Sequence, residues 1–227
     1  PSAPAGAPHA TEKRRLRRHD PWRVASGMRQ CAGGTVPAQR RDMGIAHEVS
    51  VAAGHAIQGV RAGADKLAHH KVADGLAPGI EVHSIAFDDG GALPISSTAD
   101  GVGAPPPLSW HGTPSATQGI VLICEDPDAP ALEPFLHWLV YGMSGVTEEL
   151  DAQSQHDFRL GKNGRDQAGF TPAAPPAGHG VHHYHFQVFA LDTAIELGAD
   201  SDRDAVLEAM KGHVLAWGEL VGTYQRE

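Results

Sequence analysis

Cysteine is nearly missing from the chain. Cys31 and Cys124 are the only two in 227 residues, so no disulfide framework is available and a reducing cytoplasm is the expected compartment. Cys124 ends an apolar run, where a thiol behaves as a small buried hydrophobe. No stretch approaches the roughly 18 consecutive apolar residues that a membrane helix needs. No apolar core follows the charged N-terminal residues, as it would in a secretory signal. The Gly-x-Ser-x-Gly elbow of a serine hydrolase does not occur. Gly161-Lys162-Asn163-Gly164 lacks the spacing of a phosphate-cradling loop and reads as a turn. There is no internal repeat.

What the chain does carry is an uneven charge. Its formal net charge is −9. Residues 1–42 hold nine Lys/Arg against three Asp/Glu, a local +6, leaving nine basic and twenty-four acidic residues, or −15, for residues 43–227. A body that acidic disfavours non-specific nucleic-acid binding and adsorption to anionic lipid. Residues 1–44 are rich in Ala, Gly, Pro and Arg and poor in large aliphatics. They cannot bury enough apolar area to offset chain entropy, so a disordered basic extension is expected. The chain begins at Pro1, with Met28 and Met43 further on, and part of the extension is therefore also read as a start-site artefact.

Residues 45–78 form the second unit. Ile45, Val49, Ala52, Ala56, Val60 and Leu67 recur at helical spacing, which predicts a helix. Gly54, Gly59 and Gly63 each cost it about 1 kcal/mol relative to Ala, so it needs a surface to lean on. Pro78-Gly79 breaks it, and residues 79–227 read as a mostly β domain. Strands are predicted at 80–87, 119–124, 137–143 and 183–192, with a long irregular stretch over 144–176. In the last strand Tyr184, Phe186, Val188 and Ala190 share one face with His182; His183, His185 and Gln187 take the other, where His183 and His185 are expected to point to water. Ser201 with Asp204 resembles a capping box, and the apolar stripe from Ala205 to Trp217 predicts a C-terminal helix stopped by Gly218.

Asp126-Pro127-Asp128-Ala129-Pro130 closes the most apolar strand. Each proline fixes its own φ near −65° and pushes the preceding residue toward extended geometry, so both carboxylates leave a rigid strand end. His137 begins the next apolar run, and Pro175-Pro176-Ala177-Gly178 leads into His182-His183-Tyr184. Together these predict a small polar pocket in which one carboxylate charges or orients an imidazole. His137 and His182 then meet an anion beside backbone N–H groups of the Gly178–Gly180 turn. The cluster His179, His182, His183, His185 leaves its strand on both faces without cysteine, so no metal site is expected.

These residues, in this order, resemble the phosphatidylethanolamine-binding protein family, in its bacterial Raf-kinase-inhibitor-like branch. The Asp-Pro-Asp-Ala-Pro turn, His137-Trp138 and Pro175-Pro176-x-Gly178 leading to His182-x-Tyr184 carry the likeness. Phe87-x-Asp89-Gly90-Gly91, Pro106-Pro107-Leu108-x-Trp110 and Ala209-Met210-x-Gly212-His213 extend it. The resemblance implies a β-sandwich with flanking helices and a C-terminal helix. It also implies a shallow pocket for phosphate-bearing groups such as phosphoethanolamine, lined by Asp126, Asp128, Ala129, Pro130, His137, Pro176, Gly178, His182 and Tyr184. No cofactor and no settled enzymatic activity are implied. The partners expected are a phosphorylated small molecule or lipid head group, a kinase or protease, and a second copy of the chain through the 45–76 helix. The rival reading is a small hydrolase or lyase with Asp126 as base and a histidine as acid.

Overall fold

The computed structural model describes residues 40–151, 154 and 157–227. The expectations for residues 1–39, the disordered basic arm with Met28 and Cys31, lie outside the described residues.

The apolar run at the centre of the chain is strand β3 (Gly119–Asp126), buried along its whole length. It pairs antiparallel with β4 (Phe135–Ser144) on one side and β7 (His182–Leu191) on the other. β6 (Arg159–Leu160) and β8 (Val214–Tyr224) complete a five-stranded sheet in the order β6-β4-β3-β7-β8. A second sheet joins β1 (Glu81–His83), β2 (Leu108–His111) and β5 (Glu149–Leu150) in the order β1-β2-β5. The long strands are apolar on both faces because both are covered. On one face Val121, Ile123, Leu139, Tyr141 and Phe189 pack with Val206, Leu207 and Met210 of α3 (Arg203–Met210) and Ala68 of α2 (Ala68–Val72). On the other face Phe186 lies against Phe87, their ring centroids 5.7 Å apart, and Trp110 of the second sheet is wholly buried.

The expected helix over 45–76 is two helices. α1 (Arg40–Ala56) begins inside the stretch expected to be disordered, and the chain then unwinds until the short turn at Ala64–Lys66 and α2. Gly63 at φ 102° marks a backbone state that no helix contains. Strand β1 is also shorter than the predicted 80–87. The capping residue of α3 is Asp202, whose carboxylate accepts from Ala205 N at 2.9 Å, rather than Ser201.

The largest departure is at the C-terminus. The predicted helix ends at Met210, and Val214 to Tyr224 forms β8, paired with β7 over nearly its whole length. Gly212 at φ 77° ends the helical path, and the apolar stripe continues on the far side as a strand. Gly218, read as a helix stop, serves a close approach: a Cβ there would stand 1.9 Å from the Ile80 carbonyl oxygen. Gln187, on the same face as His183 and His185, is wholly buried, because α2 covers that part of β7, and the Gln187 side chain bridges His69 and Glu125.

Candidate functional site

The site begins with a register fault. Cys124 pairs with Trp138 and Glu125 with Leu136, so the residue between, His137, is the extra residue of a β-bulge. Bulges re-aim side chains and recur beside functional sites. Here the bulge lets Leu136 and Leu139 both join the helix-side core while the His137 ring lies edge-on to Tyr184, 5.0 Å between centroids. Asp126 and His182 sit at the adjoining ends of β3 and β7. The structure brings Asp126, Ala129, Pro130, His137, Pro176 and His182 to one cavity of about 190 Å³.

Within it the polar atoms are tightly committed. Asp126 accepts from Asp128 N through Oδ1 at 2.8 Å, and its Oδ2 lies 2.7 Å from His182 Nδ1. His182 Nε2 faces His179 Nδ1 at 2.6 Å, so neither ring nitrogen of His182 is free to donate to a ligand. That corrects the expectation of direct donation. His137 Nδ1 donates to the Thr171 carbonyl at 2.7 Å, leaving Nε2 to meet the cavity. Burial lowers the His137 pKa from its ordinary value, a pull that the hydrogen bond to Thr171 and the nearby Asp126 charge only partly oppose.

Three of the expected lining residues lie elsewhere. Asp128 turns outward, forming an ion pair with Arg61 and accepting from His183 N at 2.8 Å. Burial raises its pKa, but the bonds from His183 and Arg61 outweigh that and hold it below the usual carboxylate range. Gly178 is on the far side of the Pro175-Pro176 turn, donating to the Arg226 carbonyl, and His179 N donates to Pro176 O. Two of the backbone N–H groups expected to meet an anion, those of Gly178 and His179, are therefore already paired. Tyr184 stands behind His137 with its hydroxyl buried and no hydrogen-bond partner among the described residues; burial, with the Asp126 charge, raises its pKa far above the ordinary phenol.

Two residues gain importance that the sequence did not signal. Arg165 lines the cavity together with Phe135 and Thr171. It is presented by a loop that the Asn163 amide organises, accepting from Arg165 N at 2.9 Å and donating to Gly169 O at 3.0 Å. His179, considered before only as a metal ligand, is wholly buried against His182. Asn163 was visible as turn punctuation; nothing in the sequence marks Arg165 apart from other loop arginines.

The direction of the His137 shift sets a pH dependence. The unfolded chain takes up a proton on this residue near 6.5, whereas the folded chain does so only at lower pH. Between those limits the unfolded state binds more protons, so stability falls as pH falls through that window. Urea midpoints at pH 7.5 and 5.5 are expected to drop more in the wild type than in His137→Gln.

A two-layer β fold with a small charged cavity where strands end defines a protein built around an end-on pocket. The sequence profile of the phosphatidylethanolamine-binding protein family matches residues 83–225, and the chain belongs to that family. It is 38% identical over 151 residues to a UPF0098 protein of Pyrococcus horikoshii, covering 63% of this chain and 76% of that one. It is 40% identical over 147 residues to a UPF0098 protein of Methanothermobacter thermautotrophicus, covering 62% and 95%. The crystal structure of a phosphatidylethanolamine-binding protein homologue from Chlamydia trachomatis superposes with a TM-score of 0.62 at 34% identity, over 66% of this chain and all of that one. The crystal structure of E. coli YbcL, described as a new member of the mammalian PEBP family, gives a TM-score of 0.62 at 27% identity, over 66% and 99%. Among the described residues no helix is long and apolar enough to cross a membrane.

Proposed function

We propose that the cavity binds the phosphate-bearing head of a small molecule, with Arg165 taking the phosphate oxygens and Asp126 holding the His182 imidazole. The observation that carries this reading is the placement of a guanidinium and a buried carboxylate–imidazole pair around one apolar-walled cavity of about 190 Å³. A guanidinium meets phosphate through paired, charge-assisted hydrogen bonds. Neutral His137, with a lone pair at Nε2, suits a protonated phosphate oxygen or an ammonium hydrogen. The family name points to the same head-group chemistry. Both oxygens of Asp126 and both ring nitrogens of His182 are engaged, which favours binding over the rival acid–base chemistry. A cytoplasmic setting and a kinase or protease as downstream partner rest on family resemblance and belong to this proposal.

Calorimetry with inorganic phosphate and with phosphoethanolamine tests it. The wild type is expected to saturate with one ligand per chain, and Arg165→Ala to bind about 10- to 100-fold more weakly, the range for a charge-assisted hydrogen bond. No saturable heat in the wild type, or equal affinity in the variant, overturns the reading. Turnover of the phosphoester would move it to the enzyme class.

A further inference from the structure

We propose that His179 is a positioning residue of this site: with the Ile57 carbonyl it completes a buried relay in which the His179 and His182 rings together hold three protons, so that their single positive charge cancels Asp126. The consequence for affinity rests on the phosphate reading above; the relay itself does not.

The argument is a count of protons along three contacts. Asp126 Oδ2 is 2.7 Å from His182 Nδ1, His182 Nε2 is 2.6 Å from His179 Nδ1, and His179 Nε2 is 2.8 Å from Ile57 O. Each of these separations requires one hydrogen between its atoms. The carbonyl only accepts, so His179 carries a proton on Nε2. The imidazole–imidazole contact takes a second, and the carboxylate contact a third. Two neutral imidazoles supply only two. Imidazolium is a weaker acid than a carboxylic acid, so the extra proton belongs to the rings. The carboxylate at 2.7 Å from His182 draws the charge to that ring.

The surroundings fit a fixed, neutral unit. Asp126, His179 and His182 are all nearly or wholly buried, where an uncancelled charge is costly. Of the groups that face it, His137 comes from β4 and Arg165 from the 161–169 loop, and Asp128 is already paired with Arg61. Without the relay's positive charge, Asp126 would repel the same phosphate that Arg165 attracts. His179 does not line the cavity and acts only through His182.

The relay also makes the segment between α1 and α2 part of the site. That segment is tied to both site turns. Gln58 Nε2 donates to Gly178 O at 2.7 Å, Ala62 N to Ala129 O at 3.0 Å, and Gly63 N to Pro127 O at 3.0 Å.

Nitrogen-15 NMR of the histidine rings in the full chain, without ligand at pH 7.5, tests the count. Three protonated nitrogens among the four of His179 and His182 are expected, with Nε2 of His179 one of them; two protonated nitrogens overturn the proposal. His179→Asn keeps an acceptor at the Nδ1 position for His182 and gives up only the Ile57 contact, whereas His179→Leu keeps bulk and loses both. Phosphate affinity is expected to stay within about threefold in the Asn variant and to fall about tenfold in the Leu variant, the cost of a buried donor left unpaired. Equal loss in both overturns the positioning role. Should His179→Leu fail to fold, the wild-type spectrum still decides. A wild type that shows three protons but ignores phosphate refutes the ligand and leaves the relay standing.

Discussion

Arg203→Leu is expected to lower the free energy of unfolding by about 3–5 kcal/mol, the range for stripping one partner from a buried ion pair. Glu125 has no exposed surface, and Arg203 Nε contacts its Oε1 at 2.5 Å. Its other oxygen accepts from Ala68 N at 2.8 Å and from Gln187 Nε2 at 2.9 Å, while Arg203 Nη2 reaches Lys66 O at 3.1 Å. One carboxylate thus pins α2, α3 and the helix-side face of the sheet at once. Removing the guanidinium leaves that charge buried with only neutral donors around it. Glu125→Gln in the same background keeps an acceptor for Ala68 N and removes the charge, so it should restore much of the loss. Urea denaturation of the two variants checks both steps. A loss below about 1 kcal/mol, the range of exposed pairs, would show that the pair is solvated in the folded chain.

The central strands were legible because their pattern matches their burial. Residues 119–124 are apolar without alternation, as expected for a strand covered on both faces, and β3 is buried on both. The Tyr184, Phe186, Val188, Ala190 alternation placed one face of β7 correctly. On the other face the burial of Gln187 was not legible, because it depends on α2, a five-residue helix too short to announce itself by periodicity. β8 was missed for a related reason. Val214 and Trp217 continue the helical spacing of Val206 and Met210, and local spacing cannot tell a helix from the strand that replaces it after Gly212. Pairing with β7, roughly thirty positions away in register, decides the matter, and long-range pairing overrides local pattern.

The site divides the same way. Asp126, His137 and His182 could be singled out because prolines and apolar runs fix their strand ends, and the structure places all three at one cavity. Nothing local reveals the bulge at His137, the Arg165 loop or the use of His179, since each depends on contacts across the fold. The Gly178–Gly180 turn was expected to meet an anion by composition, yet the N–H groups of Gly178 and His179 are paired with Arg226 and Pro176 carbonyls.

Asp126→Leu is expected to cost about 3–5 kcal/mol of stability, as for Arg203, and here the coupling with His182 can be measured. Asp126 Oδ2 and His182 Nδ1 face each other with both side chains 5% exposed or less, so removing either strands the other. The double variant Asp126→Leu/His182→Leu should therefore cost less than the sum of the single ones, by about 0.5–3 kcal/mol, the usual size of a direct coupling. Asp126→Asn keeps one acceptor, for Asp128 N or for His182 Nδ1 but not for both, and loses the charge, and should fall between wild type and Asp126→Leu. Asp128 is the internal control. It belongs to the same turn and is also ion-paired, but its partner Arg61 is 35% exposed. Solvent screens that pair, so Asp128→Asn should cost no more than about 1 kcal/mol. Two aspartates two positions apart would then differ severalfold in their effect, because one faces a buried imidazole and the other faces the partly exposed Arg61 and His183.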